Sequence, residues 1–170
     1  MNSIFKRTSV RKYTTQPVSP EQIELLLKAG MAAPSACNAQ PWEFIVVQNR
    51  ETLLKITEIH PYSQMLKEAP LAIVVCADTT KRPAMVPNLI SWPLDCSAAT
   101  QNVMLEATEL GLGSVWLGTY PSEGIYKPIS ELLNLPETVI PVSMIAIGHP
   151  EGEAIPKDKF DKAKIHYEKW

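Results

Sequence analysis

Residues 93–110 constrain this chain more than any other stretch. Between Leu94 and Leu105 the only charged side chain is Asp95, while Ala98, Ala99, Val103, Met104, Leu105 and Ala107 occupy more than one helical face. A helix that is apolar most of the way round has to be buried most of the way round. One sheet covers one side of such a helix, so a second subunit is the expected cover for the other. With 170 residues, 45% of them hydrophobic, the chain has the size and core material of one domain spanning 1–170.

The remaining segments alternate between helix and strand patterns. Residues 2–8 suit a short helix. Ser19, Pro20 and Gln22 place a hydroxyl at an N-cap, proline at the first helical position and glutamine at N3, a capping box. Ile23, Leu26, Leu27 and Gly30 then follow at i, i+3, i+4 and i+7. A strand is predicted over 43–47, an amphipathic helix over 51–59, and a strand covered on both faces over 71–77. Residues 79–92, with Pro83 and Pro87, read as a surface connection. Gly111 ends the long helix, and a strand over 114–118, a helix over 122–133 and a strand over 140–147 complete the order. The charged tail from 151 to 170 reads as an extended arm.

Composition removes several function classes. A net charge of -2, from 18 acidic and 16 basic residues, suggests neither a nucleic-acid nor a membrane surface. Apolar runs are strand-length, and the N-terminus lacks a signal-peptide core, so a soluble, cytoplasmic protein is expected. Cys37, Cys76 and Cys96, with His60, His149 and His166, match no metal spacing. Neither the dinucleotide fingerprint nor the P-loop occurs, so a Rossmann cofactor domain is disfavoured. Cys37 or Cys96 as a nucleophile would need a histidine that the sequence does not place. His60 and His149, each followed by proline, read as turn residues.

Two segments carry candidate chemistry. Ala33, Pro34, Ser35, Ala36, Cys37, Asn38, Ala39, Gln40, Pro41 and Trp42 form a run of small residues and two primary amides framed by prolines. It reads as a rigid, uncharged loop suited to a flat, neutral, polar-edged ligand, although proline and asparagine also mark ordinary turns. Arg7, Ser9 and Arg11 fall at i, i+2 and i+4, so an extended backbone points two guanidinium forks and a hydroxyl to one side, as a phosphate requires. A solvated basic face is the competing reading, and the second basic pair, Lys157 and Lys159, weakens it.

Four stretches then carry a family likeness. Residues 7–13 (RTSVRKY), 33–42 (APSACNAQPW), 111–118 (GLGSVWLG) and 147–150 (IGHP) resemble, in order, the signatures of the FMN-dependent nitroreductase family, and the likeness covers nearly the whole chain. The resemblance implies an α+β fold with a central mixed, mostly antiparallel sheet flanked by helices, and a homodimer with FMN at the subunit interface. It implies contacts from Arg7, Ser9 and Arg11 to the phosphate and ribityl chain. Pro34, Ser35, Ala36 and Asn38 match the segment that reaches the flavin ring of the neighbouring subunit. Thr8 and Gln40 lie inside the same two motifs. Leu117, Gly118 and Thr119 match a loop whose backbone N–H groups face the reactive flavin nitrogen, and Lys157 and Lys159 stand near a phosphate-binding position.

The same likeness implies an oxidoreductase in which NADH or NADPH reduces bound FMN and a nitroaromatic, a quinone or a related small acceptor then reoxidises it, by a ping-pong scheme. No protein acid or base is singled out, and no metal is expected. A basic residue that larger relatives place before the second strand has no clear counterpart, since Met65 falls near that point and Lys67 only flanks it. The alternatives are a specialised flavoenzyme on the same scaffold, such as a reductive dehalogenase or a flavin-fragmenting enzyme, and a non-catalytic flavin-binding protein.

Overall fold

The fold is built outward from its most apolar strand. In the computed structural model, which describes residues 2–82, 85, 86 and 88–170, β2 (Leu71–Asp78) is buried at every position from Leu71 to Ala77. It pairs antiparallel with β1 (Trp42–Val47) on one side and with β4 (Val139–Gly148) on the other. β3 (Gly113–Gly118) adds to the far side of β4, giving the order β1-β2-β4-β3. The four strands are antiparallel throughout. The parallel component expected of a mixed sheet is a single bridge between Ser9 and Ser114, at the edge of β3.

Alternation along the strands makes two cores. On one face Leu71, Ile73 and Val75 pack with Ile145 and Ile147 beneath α4 (Trp92–Glu109). On the other, Ala72, Val74, Met144 and Ala146 pack with Leu53 and Ile56 of α3 (Arg50–Ile59) and Ile129 of α5 (Glu123–Leu132). Each fully buried Leu or Ile contributes about 1.5–3 kcal/mol of transfer free energy, so the doubly covered central strands are the most strongly held part of the chain. A short α1 (Ser3–Lys6) precedes them. The expected capping box is formed in α2 (Pro20–Met31), where Ser19 Oγ accepts the Gln22 N–H and the Gln22 side chain accepts the Ser19 N–H.

α4 is covered more fully by its own chain than its composition suggests. The sheet takes one side, and α2 takes a second through Gly30, where a Cβ would come within 2.9 Å of Phe44 and 3.0 Å of Val103. What remains outward is a stripe of Leu94, Ala98, Gln101 and Leu105, at i, i+4, i+7 and i+11. Leu94 is 75% exposed. Expected cover by a second subunit therefore concerns this stripe and not a whole face.

The segment between β2 and α4 is a surface connection wherever it is described: Met85, Val86, Leu89 and Ile90 are exposed, and Pro83 and Pro87 lie outside the described residues. The tail 151–170 is exposed along its whole length and holds one short helical turn, Lys162–Lys164. No helix among the described residues is long and apolar enough to cross a membrane.

Candidate functional site

The N-terminal segment runs along the free edge of β3. Ser9 bridges Ser114, Val10 N–H donates to Ser114 O at 3.0 Å, and the Tyr13 hydroxyl donates to Val10 O at 2.6 Å, with Ala146 O at 3.2 Å as a second acceptor within reach. Thr14 N–H donates to His149 O and Glu151 N–H to Lys12 O, which joins the start of the tail to the same segment. The Tyr13 hydroxyl is buried, and desolvation raises its pKa well above the ordinary phenol value.

This extended backbone has the consequence read from its spacing. Arg7, Thr8, Ser9 and Arg11 line one cleft of about 1010 Å³, and Lys157 and Lys159 enter it from the tail. Ile4, Phe5, Pro156 and Phe160 supply apolar wall, and Gln101 comes from the outward stripe of α4. Arg7, Arg11, Lys157 and Lys159 take part in no ion pair among the described residues. The one carboxylate lining the cleft, Asp158, accepts the Phe160 N–H at 2.9 Å. Four cations and two hydroxyls around one volume are a donor set for a dianionic phosphate.

Farther along the same strand lies Gly118. Because Ser114 turns its carbonyl outward to Val10, alternation in an antiparallel pair turns the backbone groups of Trp116 and Gly118 to the same free edge. A Cβ on Gly118 would meet nothing within 4 Å, so the protein itself does not require glycine there. The backbone there is open to close approach by a flat group. Four residues of strand separate Ser114 from Gly118, about 13 Å, so the cationic segment and the open glycine flank one edge.

Leu117 and Thr119 are not open in this way. Leu117 is buried in the α3–α5 core, and Thr119 is 1% exposed with its N–H on Val142 O at 3.3 Å and its hydroxyl on Pro141 O. Of the strand-end donors anticipated from sequence, Gly118 N–H is the one directed to the free edge.

The 33–42 loop is rigid for reasons the sequence only half reveals. Cys37, Asn38 and Gln40 hold φ of 48°, 56° and 47°, left-handed values that cost non-glycine residues on the order of 1 kcal/mol each. Ser35 Oγ accepts the Gln40 N–H at 3.0 Å, and Gln40 Nε2 donates to Asn38 Oδ1 at 2.8 Å, so the two amides engage each other. The anchor is Asp95. Its buried carboxylate accepts the Ala36 N–H at 3.0 Å and the Ser91 hydroxyl at 3.0 Å, in the first turn of α4, where a negative charge also meets the helix dipole. Pro34, Asn38 and Gln40 are exposed, Ser35 and Ala36 half-buried, and none of them lines the cationic cleft of its own chain.

Two residues make long-range contacts to these segments that the sequence does not announce. Asp95 was visible as the lone charge of an apolar helix, without a partner to give it a role. His60, which reads as a turn residue before Pro61, does end α3, but it is buried and its Nε2 lies 2.9 Å from Gly118 O. Met65 is half-buried and Lys67 exposed, in a turn that Arg50 holds by donating to Leu66 O and Ala69 O. Cys96 is no nucleophile, because burial pushes its thiol up to about 12.

A sequence model described as the Nitroreductase family matches residues 4–60 and 56–149, most of the chain. The chain belongs to the nitroreductase family. It is 46% identical over 170 residues to a protein of Methanothermobacter thermautotrophicus named "Putative NADH dehydrogenase/NAD(P)H nitroreductase", covering all of this chain and 87% of that one. A solved structure of the same name from Bacteroides thetaiotaomicron superposes with a TM-score of 0.93 at 42% identity, over 99% of this chain and 96% of that one. An FMN-dependent nitroreductase from Clostridium difficile superposes with a TM-score of 0.89 at 33% identity, covering 99% of each chain. The family fold is thus the fold described above, an α+β arrangement around an antiparallel sheet.

Proposed function

We propose that the protein is an FMN-dependent oxidoreductase that draws electrons from NADH or NADPH and reduces nitroaromatics, quinones or a related small acceptor in a ping-pong cycle. The observation that carries this reading is the convergence of Arg7, Thr8, Ser9, Arg11, Lys157 and Lys159 on one cleft beside the free edge of β3. Bound there, FMN supplies the redox chemistry, and the protein supplies position, electrostatics and exclusion of competing reactions.

The chain's own groups divide that work. Arg7 and Arg11 hold the phosphate through forked, charge-assisted hydrogen bonds, Lys157 and Lys159 add point charges, and Ser9 and Thr8 hydroxyls reach its remaining oxygens. Gly118 admits a flat ring system against the backbone and offers its N–H at the free edge. No acid or base of the chain is assigned a proton; His60 Nε2 faces the Gly118 carbonyl, where it serves as a donor to the backbone.

The working unit is a homodimer. The outward stripe of Leu94, Ala98, Gln101 and Leu105 supports it, and so does the loop at 34–40, which is rigid, exposed and away from the cleft of its own chain. In the dimer, Pro34, Ser35, Ala36, Asn38 and Gln40 of each copy close over the cofactor held by the other.

Steady-state kinetics with FMN-loaded protein, NADH or NADPH and a nitroaromatic test the proposal. Parallel initial-velocity lines are expected as the two substrates are varied. Oxidation of neither nicotinamide would contradict the enzyme. Bound FMN that neither nicotinamide bleaches would mark a flavin-binding protein, and bleaching without turnover of nitroaromatics or quinones a specialised flavoenzyme.

A further inference from the structure

His60 ends α3 as its C-cap residue and is 2% exposed. Its Nδ1 accepts the Tyr62 N–H at 3.2 Å, so Nδ1 carries no hydrogen and Nε2 is the protonated nitrogen. That Nε2 lies 2.9 Å from Gly118 O and donates to it. The turn that carries the ring is itself fixed, because the buried Ser63 hydroxyl lies 2.7 Å from His60 O and 3.3 Å from Ile56 O. The donor therefore comes from a rigid frame on the α3 side of the sheet.

Gly118 needs such a frame. With no side chain, and with nothing within 4 Å of where one would be, sterics do not fix the rotation of the Gly118–Thr119 peptide. At its other end the Thr119 N–H reaches Val142 O at 3.3 Å, an acceptor shared with the Tyr120 N–H at 3.2 Å. The hydrogen bond from His60 is the shorter tie. It also changes what the strand edge offers: of the two polar groups that Gly118 turns outward, the carbonyl is occupied and the N–H is left.

We propose that His60 is a positioning residue of the flavin site, which fixes the Gly118–Thr119 peptide and occupies its carbonyl so that the end of β3 presents the cofactor with a backbone donor alone. A free carbonyl at that edge would turn negative partial charge toward a ring system that gains electron density on reduction. The inference rests on the flavin reading above and deepens it.

The test uses the full-length FMN-loaded protein and the variants His60→Leu, which removes the donor, and His60→Gln, whose terminal amide N–H replaces it. Three readouts apply: the histidine tautomer by nitrogen NMR, the exchange rate of the Thr119 amide, and the midpoint potential of bound FMN. In the unaltered protein His60 carries its proton on Nε2. His60→Leu speeds Thr119 exchange by roughly tenfold or more and lowers the midpoint potential. Its FMN Kd rises by less than about threefold, because the phosphate contacts are intact. His60→Gln restores exchange and potential toward their original values.

A proton on Nδ1, unchanged exchange and potential in His60→Leu, or a His60→Gln protein that behaves like His60→Leu would each overturn the proposal. If His60→Leu does not fold, the tautomer and His60→Gln still decide it. If the unaltered protein binds no FMN, the flavin reading fails separately, since the tautomer and Thr119 exchange are also measurable in cofactor-free protein.

Discussion

β3 begins on Gly113 and ends on Gly118, and the two glycines answer to different demands. At Gly113 a Cβ would lie 2.8 Å from Val10, so the residue is small because the N-terminal segment packs on it. At Gly118 a Cβ would meet nothing in the chain, and the carbonyl is held by a buried histidine from behind. One end of the strand is closed by the protein, and the other is left open at a frame the protein has made rigid. The open glycine at Gly118 differs from the equally open Gly124 of α5 in lying on the strand edge that also carries the cationic segment.

Substitutions along β3 and its flanking segment should separate the two ends of the strand. The largest effect is expected at the cationic segment that runs along the strand. Replacing Arg7 and Arg11 together with alanine removes two charge-assisted sites worth about 1.5–3 kcal/mol each, so FMN affinity falls by roughly a hundred- to ten-thousandfold. Riboflavin, without the phosphate, loses little, and isothermal titration with both ligands checks the difference. Gly118→Ala comes next. A methyl group in the space meant for the ligand weakens FMN by roughly ten- to two-hundredfold, while the melting temperature of the cofactor-free protein stays unchanged.

Gly113→Ala should do the reverse. Overpacking against Val10 costs about 1–3 kcal/mol in chemical denaturation, and because Val10 sits between Ser9 and Arg11, any loss of affinity is confined to FMN and spares riboflavin. If both glycine variants lost stability equally, the distinction between the two ends would collapse. The smallest effect belongs to pH. Tyr13 braces the closed end with its buried hydroxyl, and its folded pKa is raised. In the unfolded chain the phenol ionises near pH 10, so its stabilising contribution is fully present below about pH 10 and is lost as pH rises beyond it. Tyr13→Phe flattens that alkaline decline, as urea denaturation at a series of pH values would report.

How far the sequence led is clearest where local chemistry sufficed. The capping box at Ser19 and Gln22 and the doubly covered strand at 71–77 depend on neighbours in the chain, and both take the predicted form; Arg7, Ser9 and Arg11 line one cleft, though Thr8 between them lines it too. Readings that depend on distant partners fared differently. The long helix asked for cover on most sides, and α2 supplies much of what a second subunit was expected to give. Asp95 finds Ala36 across 59 residues, and His60 finds Gly118 across 58. No pattern in the sequence announces contacts that span so much chain, and a histidine before a proline looks like any turn. Thr119 was anticipated as a donor to the ligand, but burial gave its N–H an acceptor within the sheet.

We propose that the cleft and the open glycine together form one flavin site. Its most direct test is the absorbance spectrum of the full-length protein after incubation with excess FMN and desalting, recorded without oxygen before and after NADH. A protein-bound flavin band that bleaches on addition of NADH is the predicted result. A colourless protein after incubation would contradict it.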